Sequence, residues 1–195
     1  LTLANLGNYA NTTEYQGYFD PNKCYTYTYV NNEVIGSANL SRFVPSGAAA
    51  SRTCTGDNTW SGNHLNWAAT QTIDPFRSAL TGGYRVIDTA NLTVIQKARN
   101  TGQGSYDTSR TINKTFTSVS PGSQTLRTRL NNGSTGYGFN MQFTLGDNWN
   151  NYCSTYNGDG SCKTTSNKST VAYDGSTIEL GKVYEAAVRV EVCKN

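Results

Sequence analysis

The sequence predicts an α+β fold, with a helix-containing first half (about residues 60–100) followed by an antiparallel β-rich second half. Three observations predict it. Apolar residues recur at helical spacing between Trp60 and Leu80, alternating runs dominate after Asn100, and those runs are bounded by NNG, LGD, DG and LG turn signals.

Taken in chain order, Leu1 to Tyr18 is polar with only weak apolar spacing. Tyr25-Thr26-Tyr27-Thr28-Tyr29-Val30 then alternates Tyr with Thr, which suits a half-buried strand, and Asn31-Asn32 turns it. Ser46 to Asp57 is small and polar and reads as a loop. In the helical block, Leu65, Ala68 and Ala69 precede Ile73, Phe76, Ala79 and Leu80. Asp74 before Pro75 is an N-cap with proline at the first helical position, so a short break is expected before Asp74. Gly82-Gly83 ends the block with residues that accept positive φ.

Tyr84 to Ile87 is a short strand, and Leu92 to Arg99 reads as a helix capped by Asn91 in preference to a strand. Further strands are expected at Thr111–Val119, Thr125–Leu130, Tyr137–Leu145, Ser169–Tyr173 and Val183–Val192. In the last, Val183, Glu185, Ala187, Arg189 and Glu191 form a wet face opposite a dry one.

A chain of 195 residues can bury a core, and it suits one domain or one domain with an inserted subdomain. Only 15% of residues are charged and the net charge is +3, while 13 Tyr and three Trp argue for order. Lys and Arg are scattered, without a basic run interleaved with aromatics, which argues against nucleic-acid binding. No run reaches the roughly 20 apolar residues of a membrane span.

Five cysteines in Gly/Ser/Asn-rich contexts, without paired C-x-x-C knuckles, indicate an oxidising compartment and disulfides. Cys153 with Cys162 closes a short loop around Asn157-Gly158-Asp159-Gly160, and Cys24 with Cys54 is the next pairing. Cys193 is then left over, which points to a partner beyond the chain as given.

His64 is the single histidine, which excludes multi-histidine metal sites and most nucleophile–base pairs. No G-x-S-x-G elbow accompanies it. Glu185 is the best-placed carboxylate for a glycosidase-like pair, but cross-strand charge on a solvated face explains it more simply. The Asn157–Gly160 turn lacks EF-hand spacing, so no metal and no cofactor is expected. Trp149, Tyr152 and Tyr156, with Asp159 in the turn, could form an aromatic platform for a sugar or protein partner; Trp149 packed beneath its own loop is the alternative.

Three stretches, Gly17–Tyr25 (GYFDPNKCY), Trp60–Trp67 (WSGNHLNW) and Ile73–Arg85 (IDPFRSALTGGYR), are together similar to the N-terminal region of the PilY1/PilC type IV pilus tip adhesins. The terminal VYEAAVRVEVC is similar to the strand that closes that region. The resemblance implies a von Willebrand A-related fragment or insertion, with Trp60, Asn63, Trp67, Asp74 and Arg77 as its structural hallmarks. Physically, Trp60, Leu65 and Trp67 would pack a helix, with Asn63 and Asn66 satisfying backbone groups at its start. The family's D-x-S-x-S metal fingerprint is missing; Asp107-Thr108-Ser109 only looks similar.

The expectation is therefore a single domain or fragment over 1–195 with a variable β-rich subregion at about 101–182. It would serve, without catalysis, in adhesion or pilus biogenesis at the cell surface after export through an oxidising periplasm. Expected partners are minor pilins, the pilus tip or a host surface ligand. A self-associating filament subunit and a carbohydrate-binding or carbohydrate-active β protein are the alternatives.

Overall fold

The computed structural model describes residues 9–56, 58–71, 73–99, 110–112, 126–130, 139–146 and 148–193. The Asp107-Thr108-Ser109 stretch, the expected strand beyond Ile112 and the Asn131–Gly133 turn lie outside them.

The first sheet is built from β1 (Lys23–Thr28), β2 (Arg42–Ala48), β3 (Trp60–Ser61), β4 (Tyr84–Asp88), β5 (Thr93–Gln96) and β13 (Arg189–Cys193), in the order β3-β1-β2-β13-β5-β4. The second contains β6 (Arg110–Ile112), β7 (Leu126–Leu130), β8 (Asn140–Leu145), β11 (Ser169–Ala172) and β12 (Lys182–Ala187), in the order β11-β12-β8-β7-β6. A separate hairpin pairs β9 (Asn151–Tyr156) with β10 (Cys162–Asn167). Two short helices, α1 (Gly62–Ala69) and α2 (Ile73–Thr81), complete the described residues.

The helix-containing first half is thus corrected: residues 9–99 hold five strands, β1 to β5, and only two short helices, inserted between β3 and β4. The second half is not purely antiparallel either, because β11 runs parallel to β12, and β13 runs parallel to β2. A von Willebrand A-related fold does not fit this topology. Strands do not alternate with helices, and most pairings are antiparallel.

The helical block is interrupted after Ala69 and resumes at Ile73, so Asp74 and Pro75 lie inside the first turn of α2 instead of at the expected cap and first helical position, and Gly82 and Gly83 end the block at φ values of 69° and 81°. Leu92–Arg99 is instead strand β5. Its β-branched Thr93, Val94 and Ile95 are held between β13 and β4, and that pairing outweighs the Asn91 cap. The expected single strand over Val183–Val192 divides at Val188, whose amide donates to the Phe139 carbonyl while its own carbonyl accepts from Lys97. β12 therefore joins one sheet and β13 the other.

That division removes the expected wet face, since Arg189 and Glu191 are only 2% and 5% exposed. Each is paired, Arg189 with Glu33 at 2.7 Å and Glu191 with Arg42 at 3.1 Å.

The sheets meet on an aromatic core. Trp60 packs edge-on against Phe43 of the first sheet, Phe143 of the second, and Tyr173. Its indole N–H donates to the Tyr173 hydroxyl at 3.3 Å. Tyr27 and Tyr184 extend the cluster through Phe43, Tyr173 and Phe143. Such offset and edge-to-face pairs add about 1 kcal/mol each to the area they bury.

Candidate functional site

All eight residues of α1 are buried, and the Oγ of Ser61 caps the helix by accepting from the His64 amide. Asn63 and Asn66 do not cap it. Both are fully buried and bond a strap of chain, where Asn63 Oδ1 accepts from the Tyr15 amide at 2.8 Å and its Nδ2 donates to the Thr13 carbonyl at 2.8 Å. Asn66 Oδ1 accepts from the Phe19 amide, and its Nδ2 donates to the Tyr15 and Phe19 carbonyls.

Two side-chain amides thus satisfy buried backbone groups of the strap. The strap lies so close that a Cβ at Gly17 would overlap Asn66 and Thr70, and one at Gly62 would overlap the Asp20 carbonyl. Both glycines are therefore dictated by contact.

Asp74 lies in the first turn of α2 and is buried rather than a surface cap. Its carboxylate accepts from the Gln71 amide, the Tyr18 hydroxyl and the Lys97 ammonium, the last at 2.5 Å. Burial pushes the Lys97 ammonium below the ordinary lysine range, although Asp74 opposes the shift. Arg77 sits on the surface and donates to the Arg99 carbonyl. His64 is buried, stacked on Trp60 and edge-on to Tyr9. Trp67 is likewise internal. These residues build the domain and present no reactive group to solvent.

The β9–β10 hairpin is the opposite case. Cys153 and Cys162 are bridged across it, and Cys24 of β1 is bridged to Cys54 in the loop ahead of β3. Between the hairpin strands, the Asn157 amide donates to the Ser161 carbonyl and the Gly160 amide to the Asn157 carbonyl. The hydroxyl and amide of Ser161 both donate to Asp159 and hold its carboxyl below the ordinary range.

The three aromatics do not form one plate. Trp149 is half-buried beneath the Arg129 guanidinium, 4.2 Å from its ring centroid, and the Tyr152 ring lies against Gly181. Tyr156 is 39% exposed. With Tyr152 it walls a shallow pocket of about 290 Å³ beside Lys168.

A larger groove of about 600 Å³ opens between the β1–β2 turn and the edge of the second sheet. Its polar lining comes from Glu33, Asn140, Glu185 and Arg189, and its apolar lining includes Tyr29 and Ile35. Glu185 is not a solvated strand charge: it accepts from Asn140 Nδ2 at 2.6 Å and Gln142 Nε2 at 2.9 Å. Gln142 in turn accepts from Arg129. The groove escaped the sequence reading because its residues come from two segments, 27–41 and 139–189, that lie far apart in the chain. The one local signal was apolar Val34-Ile35 inside a turn.

Known proteins give the family. The model of the family described as "PilY1 homolog, small alpha/beta domain" matches residues 7–174. A type IV pilus biogenesis factor PilY1 homolog of Xylella fastidiosa (strain Temecula1) is 40% identical over 205 residues, covering 99% of this chain and 15% of that protein. A second protein of that description from the same strain is 37% identical over 82 residues, covering 40% of this chain and 5% of its own length. The chain thus spans a small part of the length of these relatives. No solved structure matches. The strap, α1 and the start of α2, where the three similar sequence stretches meet in space, all fall within the matched residues, and the chain belongs to the PilY1 homolog family as its small α/β domain.

Proposed function

We propose that this domain is a non-catalytic recognition module of the type IV pilus machinery, working outside the cytoplasm at the cell surface or pilus tip. The disulfide-closed β9–β10 hairpin is its contact element. The observation that carries this reading is the hairpin itself: an exposed, bridged ribbon with Tyr156 and a shallow pocket at its base, standing on a rigid two-sheet body. Loops on a fixed scaffold are the usual seat of recognition, and an exposed tyrosine offers contact area at low entropic cost.

The absence of catalysis is supported by how the reactive residues are used. His64 is stacked inside the core, and both Glu185 oxygens accept from amides. Relatives named as pilus biogenesis factors supply the pilus setting, and minor pilins or a host surface ligand are the partners this implies. The two bridges suit export through an oxidising compartment.

The test replaces residues 154–161 by a short Gly/Ser turn in the protein as its cell makes it and measures surface piliation and adherence. Loss of either with normal protein level supports the reading. Full piliation and full adherence together would refute it.

A further inference from the structure

The outer side of α2 and the start of β4 expose bulky apolar side chains that the core does not use. Phe76 and Leu80 stand four positions apart on one helical face, and Tyr84 follows the Gly82-Gly83 stop. They are 61%, 69% and 61% exposed. Asp74 is the one buried residue in the whole stretch Ile73–Arg85, so the helix is pinned to the body through its carboxylate while Phe76 and Leu80 stay in water. Single exposed apolar residues need no explanation, but three together with charges at their rim mark an interaction surface.

The charges at this rim are of one sign. Of the charged residues on α2 and β4, and those that contact α2, Asp74 is paired with Lys97 and Asp88 with Arg85. Arg77 and Arg99 are left over. Arg77 donates to the Arg99 carbonyl at 3.4 Å, which sets the two residues side by side, and neither has a carboxylate partner among the described residues. The apolar face is therefore bordered by two uncompensated guanidinium groups.

We propose that the Phe76, Leu80 and Tyr84 face docks an acidic amphipathic segment of a partner protein, whose apolar side chains cover the patch and whose carboxylates take the forks of Arg77 and Arg99. A carboxylate matches a guanidinium with two parallel hydrogen bonds, which fixes register as well as charge. A second copy of the chain fits less well. An isologous contact would bring the same unpaired guanidinium groups together, and the one carboxylate of β4, Asp88, is already bridged. An anionic lipid surface also fits less well, because α2 carries a single cation and buries its opposite side at Asp74, without the basic polar face of an interfacial helix. This surface is separate from the β9–β10 hairpin and does not rest on the reading of that element.

The experiment is an NMR titration of the isotopically labelled protein with a synthetic helical peptide that has leucines along one face and glutamates on the other. Parallel titrations use the same peptide with Lys for Glu, the same peptide with Ser for Leu, and vesicles of phosphatidylcholine and phosphatidylglycerol. The expected result is saturable shifts of the α2 and Tyr84 backbone amides with the Leu/Glu peptide, weakened by added salt, while the two altered peptides and the vesicles leave them unmoved. Leu80→Ser, at an exposed position that leaves the core intact, should weaken binding roughly tenfold. Arg77→Gln with Arg99→Gln should weaken it and flatten its salt dependence. No shift with the Leu/Glu peptide, equal shifts with the Lys peptide, shifts with the vesicles alone, or a dimer in solution that Leu80→Ser abolishes would each overturn the proposal. Replacement of hairpin residues 154–161 should leave this titration unchanged.

Discussion

The strap–α1 block and the β9–β10 hairpin carry similar polar side chains but hold them by opposite means. In the block, Asn63 and Asn66 direct their amides inward to the backbone of residues 13–19, under glycines that admit no side chain. In the hairpin, the side chains of Asn157, Asp159 and Ser161 bond to one another at the surface. The difference separates what the fold requires from what it leaves open. The block holds the strap through buried side chains, whereas the hairpin turn is held by its own side chains.

The largest effects should come from the block. Asn66→Ala leaves three buried backbone groups of the strap unpaired and should destabilise by roughly 3–5 kcal/mol, about 10 °C in Tm. Thermal unfolding of that variant checks it, and a change under 1 kcal/mol would show that the strap is not clamped.

Next comes the buried pair. Lys97→Met should cost about 3–5 kcal/mol by stranding Asp74, whereas Lys97→Met with Asp74→Leu should recover much of that loss. A double-mutant cycle by urea denaturation gives the coupling.

In the hairpin, Cys153→Ser with Cys162→Ser should cost at most about 3 kcal/mol and leave near-UV signals of the Trp60 core intact. The closed loop is short and its strands do not join either main sheet.

Glu33 gives a smaller, pH-dependent effect. Burial raises its carboxyl pKa, but donors from Ser41 and Arg189 outweigh burial and hold it below the ordinary range. A depressed carboxylate stabilises at neutral pH, and that contribution is lost as pH falls through the carboxylate range. The Tm gap between the native protein and Glu33→Gln should therefore narrow on acidification. Smallest of all, Tyr156→Ala should change stability by less than about 0.5 kcal/mol while lowering partner binding.

What was legible in the sequence was local. The interruption of the helical block, the Gly82-Gly83 stop and the Tyr/Thr alternation of β1 depend on neighbouring residues, and the structure shows each, with α2 starting one residue ahead of the expected Asp74 cap. The helix expected at Leu92–Arg99 failed because its neighbours in the sheet, β13 and β4, are far away in sequence or masked by the intervening turn. The sheet switch at Val188 was invisible for the same reason: alternation continues through it unchanged.

Of the site, the bridged turn could be read from Cys spacing and turn residues, but not the inward roles of Trp149 and Tyr152. Arg129 and Gly181, which cover them, lie 20 and 29 residues away. The groove could not be read at all, since its floor needs both sheets in place.

The most direct test of the contrast is native-state hydrogen exchange. The amides of Tyr15 and Phe19, bonded to Asn63 and Asn66, should exchange only through global unfolding, while those of Asn157 and Gly160 should exchange through local opening at far lower free energy. If the strap amides exchange as fast as the hairpin amides, the block is not part of the cooperative core and the division between clamped block and self-contained hairpin is wrong.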